Sequence, residues 1–160
     1  MNKALLIIFL TLCAVLTGCV TLQPATVIKN DDMNNYQYLI INGTTSLTSG
    51  TGQTINGIYY SESKSVNPRD VISGYMAKKG FIILSETERM PLYLDKTLIV
   101  NYGESGRRDV FWGYTTEVTI QFISPETKQL VFSSTAEGIG STEADDIKKA
   151  ITRALDALFE

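Results

Sequence analysis

Apolar and polar residues alternate most regularly between positions 112 and 122. Five even positions carry large apolar side chains: Trp112, Tyr114, Val118, Ile120 and Phe122. The odd positions between them are polar: Thr115, Glu117, Thr119 and Gln121. This period of two predicts a long strand with one buried face and one face in water. A turn at residues 124–127 and an antiparallel partner strand at residues 129–135 should follow it.

Two helices are predicted from their end signals and their apolar spacing. Asn67-Pro68-Arg69-Asp70 has the composition of a helix start, with an N-cap residue followed by proline. This helix should run to about Lys79 and stop at Gly80, because glycine readily adopts the left-handed conformation that ends helices. A second helix begins near residue 141 and has its apolar side chains on one face: Ile147, Ala150, Ile151, Ala154, Leu155 and Leu158.

The remaining apolar runs predict strands at residues 36–41, 81–84 and 97–102. Residues 42–57 are rich in glycine, threonine and serine. They predict a flexible hairpin connection that leads to a strand near residues 55–60, with a binding loop as the alternative. Residues 103–109 are predicted to be a turn. Together these elements predict an α+β fold, in which a mostly antiparallel sheet of about five to six strands carries two helices packed on one face.

The first eighteen residues have the pattern of a secretory signal peptide. Lys3 is followed by about 13 apolar or weakly polar residues, too few to span a bilayer as a stable helix. Leu16-Thr17-Gly18-Cys19 then forms a lipobox, in which small residues precede the cysteine whose thiol accepts diacylglycerol. We therefore predict a signal peptide at residues 1–18 and a lipid anchor on Cys19. The alternative is an ordinary cysteine after a generic signal or a short membrane helix.

The predicted anchor divides the rest of the chain into a tether and a domain. Residues 19–35 are predicted to be the lipidated cysteine and a polar tether, which would reach roughly 50 Å if extended and about 20–25 Å as a coil. Residues 36–160 should form a single domain. Val20 follows the cysteine where an inner-membrane retention signal would have aspartate. We therefore expect a periplasm-facing location at the outer membrane, with the cell surface as the alternative.

Composition narrows the chemistry available to the exported domain. The chain has no histidine, which excludes Ser-His-Asp and Cys-His catalysis and histidine-ligated zinc. Its two cysteines would be lost with the signal peptide or lipidated. Loss of Lys3 would move the formal net charge from −3 to −4, so no general basic surface for nucleic acid is expected. No motif indicates a cofactor or a metal site.

Three runs of residues resemble a family of small, largely uncharacterised lipoproteins of the Bacteroidota. They are Ser65-Val66-Asn67-Pro68-Arg69-Asp70-Val71-Ile72-Ser73-Gly74, Asn101-Tyr102-Gly103-Glu104-Ser105-Gly106-Arg107-Arg108, and the segment from Ala136-Glu137-Gly138 to Asp145-Asp146-Ile147. The resemblance implies a lipobox signal followed by one α+β domain, and it brings no catalytic motif. It therefore supports the location and the fold and adds almost nothing about activity.

Glu104, Arg107 and Arg108, with Asp109 after them, are the candidate ligand-binding residues. Two adjacent arginines on a glycine-bearing turn could hold a phosphate or a carboxylate, as a lipid headgroup or a peptidoglycan stem presents. The alternative is that both arginines pair with acids on a solvated hairpin.

Two further groups have alternative interpretations. Glu143, Asp145 and Asp146 could ligate a metal, but acids are expected in the first turn of any helix because they interact with its dipole. Trp112 with Tyr114, and Tyr59 with Tyr60, could form aromatic platforms for sugars. Alternation instead places Trp112 and Tyr114 in the core.

These observations predict a non-catalytic envelope lipoprotein. Its partners would be membrane lipid, through acylated Cys19, and an envelope protein or peptidoglycan. One alternative is an envelope hydrolase of peptidoglycan or glycan that uses carboxylates such as Glu104 and Glu137. Another is a purely structural lipoprotein with no discrete ligand.

Overall fold

The structure is a computed structural model that describes residues 21–85, 93–111 and 113–160. The predicted signal peptide, Cys19 and Trp112 lie outside these residues. The described strands are β1 Thr26–Lys29, β2 Tyr38–Ile41, β3 Leu47–Ile55, β4 Ile58–Val66, β5 Ile82–Leu84, β6 Thr97–Val110, β7 Gly113–Ile123 and β8 Leu130–Gly138. The helices are α1 Pro68–Lys78 and α2 Glu143–Phe159, with short 3-10 helices at Met33–Asn35 and Leu94–Lys96.

Six of these strands form one sheet in the order β1-β8-β7-β6-β2-β5. The three pairings from β1 to β6 are antiparallel, and β2 runs parallel to both β6 and β5. The two helices pack on each other and share one apolar core with the sheet. The predicted α+β class is therefore confirmed. The parallel pairings arise because the chain between β2 and β5 leaves the sheet and returns through α1, as a crossover connection requires.

The alternation in β7 identified the core with two exceptions among the described residues, Tyr114, which is only half-buried, and Thr115. Val118, Ile120 and Phe122 are fully buried. Thr115, predicted to face water, is also fully buried. Its hydroxyl donates to the carbonyl oxygen of Arg108 (3.4 Å), and it helps to lower the pKa of Glu137. Thr115 is thus in contact with both Arg108 and Glu137, and alternation along one strand cannot indicate such contacts with other strands.

The predicted helix ends are confirmed by their hydrogen bonds. Asn67 caps α1 by accepting from the Arg69 N–H (3.0 Å), and Gly80 after α1 has φ +96°. Thr142 caps α2 by accepting from the Asp145 N–H (3.3 Å). Among the described residues, no helix is both long and apolar enough to cross a bilayer.

The glycine-rich segment is not a flexible connection but a hairpin of two nine-residue strands, β3 and β4. Its turn is Asn56-Gly57, with φ values of +52° and +78°. A two-residue turn with positive φ at both central residues has a twist that matches the twist of the two paired strands, and Asn-Gly is its usual sequence. The strand predicted near residues 55–60 is confirmed in part: residues 58–60 belong to β4, but the Asn56-Gly57 turn separates them from Ile55 at the end of β3.

Strand β6 continues through residues 103–109, which were predicted to be a turn. A β-bulge between Glu104 and Gly106 accommodates the extra residue, and pairing with β7 resumes up to Val110 opposite Gly113. Gly103 and Gly106 therefore lie in a strand and its bulge. Arg107 and Arg108 lie on a paired strand near its end, where their direction is fixed by the sheet.

Residues 26–29 were predicted to be part of a tether and instead form an edge strand. Thr26, Val27, Ile28 and Lys29 pair antiparallel with residues 132–135 of β8. Threonine, valine and isoleucine are β-branched and favour strands, and Val27 packs against the core. The folded domain thus begins well before residue 36.

Candidate functional site

The best-defined polar arrangement in the described chain lies around Glu137, next to the last residue of β8. Glu137 is only 3% exposed. Arg108 of β6 donates to both of its oxygens, from Nε to Oε1 at 2.8 Å and from Nη2 to Oε2 at 2.7 Å. Two parallel bonds of this kind are the strongest form of arginine–carboxylate pair.

The electrostatics follow from these partners. The guanidinium of Arg108 lowers the pKa of Glu137 to about 2, against an opposing effect of burial and with further help from the Gln23 N–H. The Glu137 carboxylate also raises the pKa of Arg108. Glu137 is therefore ionised at any physiological pH, and it cannot act as a proton donor there.

The same carboxylate holds the beginning of the described chain. The Gln23 N–H donates to Glu137 Oε2 (2.9 Å), and Arg108 Nη2 donates to the carbonyl oxygen of Thr21 (3.2 Å). Arg153 of α2 donates from Nη2 to the carbonyl oxygen of Gln23 (2.9 Å) and from Nη1 to the carbonyl oxygen of Glu137. We call this arrangement the Glu137 cluster: the side chains of Arg108, Glu137 and Arg153 with the backbone of Thr21 and Gln23.

The Glu137 cluster changes the predicted geometry of the N-terminus. Cys19 stands two residues before Thr21, and two residues of extended chain span at most about 7 Å. The tether predicted for residues 19–35, with a reach of about 20 Å or more, is therefore wrong. Sequence reasoning missed Thr21, Gln23 and Arg153, because no local pattern indicates contacts between residues more than 80 positions apart.

Arg107 has a different set of partners from Arg108. It forms an ion pair with Glu143 in the first turn of α2. Its guanidinium lies 4.9 Å from the ring centre of Tyr114. Tyr114 is half-buried, so the prediction that it lies in the core is wrong. These contacts fasten the end of β6 to the start of α2.

Glu104 is not brought together with the two arginines. It lies before the β-bulge and accepts from the Tyr102 hydroxyl at 3.3 Å. Burial, together with Glu104, raises the pKa of Tyr102. Both arginines thus pair with acids, as the alternative interpretation expected. The acids are Glu143 and Glu137, which are distant in sequence, and not the acids next to the arginines on β6. Ligand binding by Glu104, Arg107 and Arg108 stays a prediction.

The acids at the start of α2 also have protein partners. Glu143 pairs with Arg107, as described above. Asp145 accepts hydrogen bonds from Lys64 of β4 (2.6 Å) and from Ser141 (2.6 Å), and both bonds lower the pKa of Asp145. Asp146 is buried and accepts from the Gly140 N–H, while burial raises its pKa. The described residues contain no group of acids arranged to hold a metal ion.

An open cleft of about 640 Å³ lies at the C-terminal end of α2, and Phe132 in its lining is five residues before Glu137 on β8. It is lined by the 3-10 helix at Met33–Asn35, by Lys79 and by the last residues of α2. Lys79 lies 4.8 Å from the ring centre of Phe159. At its rim, burial and a hydrogen bond to Asp31 raise the pKa of Tyr36 to about 12. The cleft combines both signs of charge with aromatic surface.

Tyr59 and Tyr60 lie on β4 just after the hairpin turn, and both are exposed. Trp112, which the sequence placed with Tyr114, lies outside the described residues. The aromatic platforms suggested for sugars therefore stay predictions.

No protein-family model matches the chain, and no curated protein is significantly similar to it. The resemblance to lipoproteins of the Bacteroidota therefore stays a prediction.

Proposed function

We propose that the protein is a lipid-anchored envelope protein, held through acylated Cys19 and acting as a non-catalytic binding or interaction module at the outer membrane. The lipobox supports the anchor, and the absence of aspartate after Cys19 supports the outer membrane. The observation that carries the structural part of the proposal is the Glu137 cluster. It fixes Thr21 to the domain two residues after the predicted anchor.

A short link of this kind makes the domain part of the membrane surface. Two or three acyl chains bind a bilayer almost irreversibly, since each buried CH₂ contributes about 0.8 kcal/mol. With only about 7 Å of chain between Cys19 and Thr21, the end of the domain that carries the Glu137 cluster would touch the headgroups. The cleft would then face the periplasm, about 17 Å further from the membrane than Glu137, because Phe132 in its lining lies five residues before Glu137 on β8.

The cleft is the part of the described surface best suited to an envelope partner. Lys29, Lys79, Asp31 and Asp32 line it together with Phe81 and Phe159. Mixed charges with aromatic rings suit a protein segment or a peptidoglycan stem peptide, which carry amines, carboxylates and apolar groups. A photo-crosslinker at Phe81 should capture such a partner in intact envelopes, and a crosslinker at Lys148, which is exposed on α2 away from the cleft, is the control.

The competing proposal is a hydrolase that uses Glu104 and Glu137. Its pair of carboxylates would need one group that donates a proton near neutral pH. Glu137 has a pKa of about 2 and is held by Arg108, and Glu104 is occupied by Tyr102. Peptidoglycan turnover by the purified protein that disappears in Glu104→Gln would support the hydrolase. A crosslinking experiment that recovers no partner would favour a purely structural lipoprotein.

Intact mass spectrometry of the protein from membranes tests the anchor. We expect a mature chain beginning at Cys19 with a diacylglyceryl mass, and no such mass in Cys19→Ala. Protection of the domain from protease in intact cells would support the periplasmic face, and cleavage would move it to the cell surface. An unmodified Cys19 in the wild-type chain would contradict the proposal.

A further inference from the structure

The β3–β4 hairpin ends in a cluster of exposed apolar side chains. Ile55, Ile58, Tyr59 and Tyr60 surround the Asn56-Gly57 turn and are between 48% and 69% exposed. We call these four residues the hairpin tip. Exposed isoleucine and tyrosine together on one projection indicate a surface that is covered when the protein works.

The hairpin projects from the end of the domain that carries the predicted anchor. Near its base, Ser49 accepts from the Ala144 N–H at the start of α2 (2.8 Å), and Lys64 on the opposite strand pairs with Asp145 (2.6 Å). Gly50 and Thr51 come next along β3 and lie beside Gly113 and Tyr114, at the turn between β6 and β7.

The hairpin tip lies about 15 Å further along the strand from that point. Thr21 is bound at the same end by Arg108, which lies two residues before Val110, the last residue of β6. Phe111 in the β6–β7 turn is 85% exposed there. One end of the domain therefore carries the start of the described chain, the hairpin tip and an exposed phenylalanine.

The charge distribution indicates what covers the hairpin tip. Residues 47–61 contain no aspartate, glutamate, lysine or arginine, so the outer part of the hairpin is neutral. Tyrosine rings favour the headgroup region of a bilayer, where the ring is in apolar surroundings and the hydroxyl in water. Isoleucine gains free energy when it reaches the acyl boundary, about 5–10 Å below the headgroups.

We propose that the hairpin tip inserts into the lipid bilayer beside the Cys19 anchor, as a second membrane contact that fixes the orientation of the domain. This inference rests on the proposed anchor, because the anchor supplies the membrane at this end. The hairpin tip alone buries too little apolar surface for stable attachment. Next to a lipid anchor it needs only to hold an orientation, since the bilayer is already within reach.

Fluorescent probes on the lipidated full-length protein test this. The mature chain would have no free thiol once Cys19 is acylated, so a single introduced cysteine is labelled uniquely. An environment-sensitive dye is attached to Tyr59→Cys at the hairpin tip. The matched control is Tyr93→Cys, a tyrosine of similar exposure (54%) near the start of β6. It lies about 40 Å along the strand from Phe111.

The proteins are reconstituted in vesicles of phosphatidylethanolamine and phosphatidylglycerol that contain a lipid-borne quencher. We expect a blue-shifted, strongly quenched emission at Tyr59→Cys and a water-like, unquenched emission at Tyr93→Cys. Adding Ile55→Ser and Ile58→Ser to the Tyr59 probe should reduce the quenching, with the fold checked by circular dichroism. Unchanged quenching after these substitutions would overturn insertion by the apolar side chains.

Other outcomes separate this inference from the anchor itself. A diacylglyceryl mass on Cys19 with a water-like emission at Tyr59→Cys overturns the insertion and leaves the anchor intact. A probe shielded in native membranes but exposed in the pure lipid vesicles also overturns it, because the hairpin tip would then contact an envelope protein. An unmodified Cys19 overturns both proposals.

Discussion

Arg108 and Glu137 form a two-point ion pair between β6 and β8, with β7 between their strands and Thr115 beneath them. The pair also binds the backbone of Thr21 and Gln23, so one carboxylate joins the end of the sheet to the start of the described chain. The position of the described N-terminal segment on the domain depends on this contact.

Replacement of Arg108 by alanine should release the N-terminal segment. Glu137 would stay buried without its cation, and an uncompensated buried charge is strongly unfavourable. We expect the melting temperature to fall by about 5 °C and the Gln23 amide to exchange its hydrogen about tenfold faster. Differential scanning fluorimetry and hydrogen exchange measure these effects. Lys148→Ala, which removes an exposed cation on α2, is the control and should change neither quantity.

Stability should fall in acid because of Glu137. Its pKa is about 2 in the folded chain and about 4.5 when unfolded, so the folded state favours the ionised form. The resulting stabilisation is complete above about pH 4.5 and is lost as the pH falls through about 2. Urea unfolding at pH 6 and pH 3 should show a smaller acid loss in Glu137→Gln than in the wild type. An equal loss in both proteins would contradict this assignment.

Close approach between β8 and α2 depends on Gly138. A Cβ at this position would lie 2.0 Å from the carbonyl oxygen of Asp146 and 2.5 Å from the Ala150 nitrogen. Backbone atoms of a helix cannot move away cheaply, so Gly138→Ala should destabilise the domain by about 2–3 kcal/mol. Gly74→Ala in α1 is the matched control, because a Cβ there meets nothing within 4 Å. Helix propensity predicts that it stabilises by about 0.5–1 kcal/mol. Chemical denaturation compares the two variants.

The β3–β4 turn should be sensitive to a β-branched residue at Gly57. Its φ of +78° strains any L-residue, and most of all a β-branched one. In Gly57→Val we expect faster hydrogen exchange throughout β3 and β4, with the unfolding midpoint of the main sheet nearly unchanged. Gly103→Ala, at a glycine with open space around it, is the control. Loss of protection across the whole domain would show that the hairpin is not a separate two-stranded sheet.

Local signals predicted those elements whose causes are local. Asn67 and Gly80 marked the ends of α1, and the alternation at Val118, Ile120 and Phe122 marked the buried face of β7. These features depend on residues within one turn or one strand. The Asn56-Gly57 turn was also present in the sequence as a hairpin signal, and it was masked by the glycines of β3, which favour a loop.

Features that depend on distant partners could not be predicted in this way. Arg108 and Arg107 lie on a strand because a bulge after Glu104 absorbs glycine-rich sequence that otherwise indicates a turn. Residues 26–29 form a strand because β8 offers a free edge more than 100 positions later. The contact of Arg153 with Gln23 spans 130 positions. Such pairings are properties of the folded sheet and leave no local pattern.

The thickness of the water layer between the bilayer and the domain tests the account most directly. Neutron reflectometry on a supported bilayer that carries the lipidated protein measures it. The Glu137 cluster holds Thr21, and only Val20 lies between Thr21 and Cys19. We therefore expect the protein density to begin at the headgroups, and a hydrated gap to open in Arg108→Ala. A wild-type gap of about 20 Å, as a free tether of 16 residues would produce, would contradict the account.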